Sequence, residues 1–283
     1  MTHRNYFTLF YYSHIPLVVL AMVLTATISA VQYQRINWQV ILLVGLSTYI
    51  TYSLDNLIDW NRDKSHYKGL EVPIERYHKI TYILIPTAAI GIIFLVFDSS
   101  NELRIGILLL GAAVAMNTTR FLVFKENANQ ESRKLIGFFI NRLFISTVWT
   151  TVCVFLPIWY DNEPITSLTW HTFVYMYVLI LAYAIIWKLE KSPHPLQKKV
   201  FPSNIPKVLA STTFLPIVLV FYDILSGTAP IHNLVNLAPP IACLIGILRI
   251  SGHPFNLQKK ISLMTFVLIV LCSFSAYIHL TFS

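Results

Sequence analysis

A chain of 283 residues that is 55% hydrophobic and only 12% charged, with a mean hydropathy of +0.61, carries more apolar surface than a water-soluble domain of this size can bury. Lipid must cover much of it, and the net charge of +8 then needs no nucleic-acid partner. Cys153, Cys243 and Cys272 stand far apart within apolar stretches, which excludes a disulfide framework and leaves them as buried packing residues.

Along the chain, Arg4 precedes an apolar run ending Ile28-Ser29-Ala30, superficially a secretory signal. The run is too long for a signal core and further spans follow, so an uncleaved first span is expected over Ile15–Val31. Apolar runs then predict spans over Trp38–Leu57, Ile80–Phe97 and Leu103–Thr118, and over Leu135–Leu156 and Leu168–Trp187. Val208–Leu225, Leu234–Ile250 and Ile261–Leu280 complete the set. The expectation is one all-α domain over residues 1–283, a polytopic membrane bundle of about nine transmembrane helices. Pro86, Pro216 and the pair Pro239-Pro240 are expected to kink their helices. No repeat or low-complexity tract is visible.

If the N-terminus is cytoplasmic and loops are assigned in turn, all but Arg35, Arg104 and Arg142 of the 21 Lys and Arg fall on cytoplasmic segments. Opposite segments carry Asp98, Glu102, Asp161, Glu163 and Asp223. An odd number of spans, N-terminus in and C-terminus out, keeps the basic loops on one side. A compact chain with short loops fits a bacterial inner membrane.

The most informative segment is Tyr52-Ser53-Leu54-Asp55-Asn56-Leu57-Ile58-Asp59-Trp60-Asn61-Arg62-Asp63, where the second span meets the cytoplasmic face. Four residues advance a helix by about 400° and about 6 Å, so Asp55, Asp59 and Asp63 lie along one stripe, with Tyr52 one turn before Asp55. Neighbouring carboxylates at that spacing repel by about 3 kcal/mol at an effective dielectric of about 20, and desolvation adds to this inside the membrane. A divalent cation offsets the repulsion, and carboxylates holding Mg²⁺ with open water positions are a common device for gripping a diphosphate. The bland alternative is a solvated helix end, with Asp59 and Asp63 in water beside Arg62 and Lys64. Three carboxylates in register, with Asp55 and Asn56 still in the apolar run, favour the site.

This segment resembles the first aspartate-rich motif of the UbiA superfamily of intramembrane prenyltransferases, Asn-Asp-x-x-Asp-x-x-x-Asp after the second span. Asp59 and Asp63 fall on that motif's second and third aspartates. The leading pair is inverted, with Asp55 at the Asn position and Asn56 at the first Asp. Nine spans, a cytosolic N-terminus and a basic loop containing Pro73 and Arg76 are also similar to the family in outline. The resemblance implies a UbiA-like bundle whose central cavity opens to lipid, where Mg²⁺ and aspartates hold a prenyl diphosphate for attack by a hydrophobic acceptor. Ionising the allylic C–O bond requires positive charge on the departing diphosphate and aromatic faces beside the carbocation-like fragment.

The family's second aspartate-rich motif follows the sixth span, and here Trp187 to Lys199 contains Glu190 as its only carboxylate. A second metal held by aspartates is therefore not expected. Lys188 is a candidate point-charge contact to diphosphate in its place, against the alternative that it is ordinary cytoplasmic charge; Lys191, Lys198 and Lys199 share both readings. Arg142 lies inside a span and must pair or snorkel, with Asp55 or a bound diphosphate as partner and Asn141 beside it on the cavity side. Arg120, after Asn117-Thr118-Thr119, is either phosphate-facing or a topology anchor. Most of the 15 Tyr and 6 Trp fall at span ends as belt residues, and His194 between two prolines reads as a loop residue.

The leading function is Mg²⁺-dependent prenyl transfer from a prenyl diphosphate to an aromatic or lipid-like acceptor. A catalytically degenerate relative that binds isoprenoid or quinone-like lipid, or scaffolds a membrane partner, is the alternative. A small transporter using Asp55 and Arg142 ranks last, because no inverted repeat is visible.

Overall fold

The computed structural model describes residues 14–62, 71–97, 99–124, 131–191, 213–227, 231–252 and 257–282. Among these the chain is helical throughout: α1 Ile15–Tyr33, α2 Trp38–Arg62, α3 Glu71–Phe97, α4 Asn101–Phe124, α5 Glu131–Asp161, α6 Ser167–Lys191, α7 Phe214–Leu225, a 3₁₀ segment Ile231–Leu237, α8 Ala238–Gly252 and α9 Leu257–Phe282. Each expected span overlaps one helix. Six of the helices contain segments long and apolar enough to cross a membrane: Ile15–Tyr33, Trp38–Ile58, Tyr77–Phe97, Ile140–Asp161, Ser167–Ile185 and Met264–Thr281. As described, α7 has 12 residues and rises only about 18 Å, short of the hydrocarbon thickness. Residues 208–212, which the expected seventh span includes, lie outside the described residues.

Side-chain chemistry sets the short turns. Pro16 sits in the first turn of α1, where a missing N–H costs nothing, and Gln34 in the left-handed region (φ 53°) ends that helix. Asn37 then accepts from the N–H groups of Gln39 and Val40 at 3.0 and 3.4 Å and starts α2. Ser100 caps α4 through the Leu103 N–H at 3.2 Å. Thr166 and Thr169 exchange side chain to backbone bonds at the start of α6, in the manner of a capping box.

The prolines behave differently from the expectation in two places. Pro86 does lie inside α3, but Pro216 and Pro239-Pro240 stand in the first turns of α7 and α8, so they start helices rather than kink them. Pro157 is the additional proline inside a helix, α5.

α1 is the packing axis, with α9, α2, α5 and α6 against it. Leu17, Leu20, Leu24 and Ile28 recur at helical spacing and meet Val154 and Ile158 of α5, Met176 and Leu179 of α6, and Leu268 of α9. On another face Ala21 packs with Val40, Leu43 and Val44 of α2. The three cysteines are buried and free, as packing residues should be. The outer surface is apolar instead of polar: Phe94 is 77% exposed and Leu108 72%. A soluble protein does not present such a surface, whereas lipid solvates it, and the architecture is that of a membrane protein.

Two glycines mark close approaches. A Cβ on Gly106 would lie 2.7 Å from the Trp159 ring, while one on Gly45 would lie 2.8 Å from the Met22 sulfur. Trp159 is a rigid ring stacked on Phe155, and Met22 is a flexible chain. Gly106→Ala should therefore destabilise the bundle by about 1–3 kcal/mol. Gly45→Ala should be close to neutral, because Met22 yields and alanine gains helix propensity. Thermal unfolding of both variants in the same detergent checks the contrast.

Candidate functional site

The site is assembled where α2 and α5 approach each other at one end of the bundle. Tyr52 and Asp55 are a turn apart on α2, and α5 carries Asn141 and Arg142 near the start of its apolar segment. Arg142 lies within electrostatic reach of both Asp55 and Tyr52. The Asp55 side chain is exposed, Asn56 is 7% exposed, and Tyr52, Asn141 and Arg142 are half-buried. A rotation of about 100° between adjacent residues explains why Asp55 and Asn56 part company. The Asp55 carboxylate is thus exposed while the Asn56 amide is buried.

Tyr52 anchors an aromatic group. Its ring lies 5.1 Å from the His14 ring and 5.9 Å, edge-on, from the Trp149 indole. His14 is 2% exposed and holds the left-handed position (φ 56°) just before α1. Neither His14 nor Trp149 was singled out by sequence reasoning. Their only visible signal is positional, since Trp149 is two turns beyond Arg142 on α5 and so shares its face.

The remaining expected residues separate into two sets. Asp59, Arg120, Lys188 and Glu190 fall on α2, α4, α6 and α6, with side chains outside the described residues. Asp63, Lys198, Lys199 and His194 lie outside them altogether. Among the described residues no group of three His, Cys, Asp or Glu is gathered for a metal. The described site offers one carboxylate, that of Asp55, whose hard oxygens suit Mg²⁺ over softer ions.

The opposite end of the bundle is also polar. Arg35 pairs with Glu163 at 2.7 Å and Asp161 at 3.3 Å, tying the α1–α2 turn to the α5–α6 turn. The Asn37 amide donates to Asp161 at 3.0 Å, and Arg104 donates to the Val96 and Phe97 carbonyls at the end of α3. Asp223, counted above with the segments opposite the cytoplasm, lies on α7, 8% exposed and 2.7 Å from His171 Nδ1 on α6. A cavity of about 60 Å³ lies beside that pair, and not beside Asp55.

No family model, curated protein or solved structure matches this chain. The functional reading therefore rests on the residues themselves.

If Asp55 and Arg142 interact, their substitutions are not additive. A double-mutant cycle of Asp55→Asn and Arg142→Gln, read by thermal unfolding in detergent, should give a coupling of about 0.5–1 kcal/mol, small because Asp55 is exposed. Additive effects would show that the two groups act apart.

Proposed function

We propose that this chain is an intramembrane, Mg²⁺-dependent prenyltransferase of UbiA-like architecture with nine membrane crossings, moving a prenyl group from its diphosphate to a hydrophobic acceptor. The observation that carries the reading is the approach of Arg142 to the Tyr52–Asp55 stripe of α2. Asp55, the first carboxylate of the acidic segment that runs on to Asp59 and Asp63 in the sequence, is thereby reached by a guanidinium from a second helix.

In this reading Asp55, Asp59 and Asp63 hold Mg²⁺, which neutralises charge on the diphosphate when bound. Arg142 serves two partners. Without an anion its charge is balanced by Asp55; with a diphosphate its planar fork engages phosphate oxygens, as arginine does more rigidly than lysine. Arg120 and Lys188 add positive charge from α4 and α6, where aspartates are missing after the sixth helix. The Tyr52 and Trp149 rings supply π faces beside the allylic end, stabilising its developing cation. The distribution of basic segments supports a cytoplasmic Asp55 end and N-terminus with the C-terminus opposite, and in this reading the membrane is a bacterial inner membrane.

A second reading is favoured by one feature, the lack of any aspartate from Trp187 to Lys199. A chain that binds the prenyl diphosphate without ionising it would retain the α2 stripe and lose the second motif.

Labelled geranyl, farnesyl and geranylgeranyl diphosphates incubated with Mg²⁺, purified protein and a membrane lipid extract that supplies the hydrophobic acceptor distinguish the two. Pyrophosphate release that falls at least about a hundredfold in Asp59→Ala supports transfer. Binding without release supports the degenerate reading, and neither activity rejects both. Arg142→Lys should weaken diphosphate binding by about tenfold while leaving the unfolding temperature close to wild type.

A further inference from the structure

We propose that the cavity between α1, α6, α7, the 3₁₀ segment and α9 is a binding site for the phenolic hydroxyl of a lipid-soluble amphiphile, with His171 as its hydrogen-bond acceptor. The site lies at the other end of the bundle from Asp55 and is independent of the prenyl-transfer reading.

Asp223 is the starting point. It is the single charged residue in Phe214–Leu225, and it is buried. A carboxylate in such surroundings is tolerated only with a partner, and His171 Nδ1 at 2.7 Å supplies it. The pairing also orients the ring. In the neutral imidazole the carboxylate takes the Nδ1–H, which makes Nε2 the acceptor. Among the described residues Nδ1–Asp223 is the only hydrogen bond of the His171 side chain, and the Tyr222 ring meets it edge-on at 5.9 Å.

Most other polar groups around the cavity are already engaged. Asn236 Oδ1 accepts from Ser275 at 2.5 Å and its carbonyl accepts from Tyr175 at 2.8 Å. Thr27 donates to the Val23 and Cys272 carbonyls, and Thr172 to that of Leu168. These bonds occupy the groups that make them, while His171 retains accepting capacity at Nε2. The lining also holds the amide of Asn233 and aliphatic side chains, including Leu24, Ile28 and Leu219. A few hydrogen-bonding groups among apolar side chains suit an amphiphile better than an ion or a sugar.

Size and acidity narrow the class. A cavity of about 60 Å³, partly open, admits a hydroxyl and the ring edge that bears it, while the remainder of the molecule stays outside. A phenol is a stronger donor than an aliphatic alcohol, and an imidazole backed by a carboxylate is a strengthened acceptor.

The probe is decylhydroquinone, kept reduced with ascorbate, added to the full chain in nanodiscs without Mg²⁺ or prenyl diphosphate. Failure of the transferase reading therefore cannot affect the result. Saturable binding is expected, detected as a raised unfolding temperature and by tryptophan fluorescence. The dimethyl ether of the same compound, which has lost its donors, and 1-decanol should each bind at least about tenfold more weakly. His171→Leu/Asp223→Leu, which removes both members of the pair and strands no charge, should lose at least about tenfold in affinity. Equal binding of the ether or of decanol to wild-type protein overturns the proposal, whether or not the variant folds. So does undiminished binding by a folded variant, or no binding of decylhydroquinone at all.

Discussion

A polar side chain inside an apolar bundle must find its partner within the protein, because neither lipid nor a packed core will supply one. That constraint sorts the polar residues here. Several helix-bound threonines and serines return their hydroxyls to their own backbone, as Thr25 does to Ala21, Thr81 to Tyr77 and Ser146 to Arg142. Such residues are internally neutral and leave the helix surface effectively apolar. Several charged groups and one imidazole instead pair between distant segments, Arg35 with Asp161 and Glu163 and His171 with Asp223.

The two ends use the constraint differently. Around Arg35, Asp161 and Glu163 the partners come from turns and serve to fasten α1–α2 to α5–α6. Arg142 and Asp55 come from helices, close to where those helices leave the apolar layer. His171 and Asp223 also come from helices, and they are set deeper against a cavity. A pair that only fastens turns can be exchanged for another pair. One held between rigid helices presents fixed atoms to whatever enters, and the two candidate sites are both of this kind.

Packing around α1 explains how this arrangement is held. The stripe Leu17, Leu20, Leu24 and Ile28 touches α5, α6 and α9, while Ala21 admits α2 closely on another face. Small residues at such crossings allow helices to approach in lipid, where no hydrophobic force draws them together. The same helix reaches both sites: His14, immediately before it, lies against Tyr52, and Leu24 and Ile28 wall the cavity beside His171.

The helices themselves were legible in the residue order. Apolar runs of bilayer length form helices wherever they occur, since every backbone group must be satisfied within the segment, so the expected spans each overlap a helix. That Tyr52 and Asp55 stand one turn apart on a helix was legible for the same reason, being a local consequence of helical period. Even the proline error is local: Pro216 and Pro239-Pro240 look like kinks until the helix start is known, and a first-turn proline bends nothing. What residue order did not contain was which distant helices meet. His171 and Asp223 are 52 positions apart and each looks like an ordinary interfacial residue. Trp149 and His14 acquire meaning only when α5 and the start of α1 converge on Tyr52. Period and hydropathy act over a few turns of one helix, whereas these contacts depend on shape complementarity between helices far apart in the chain, and only the tertiary packing decides that.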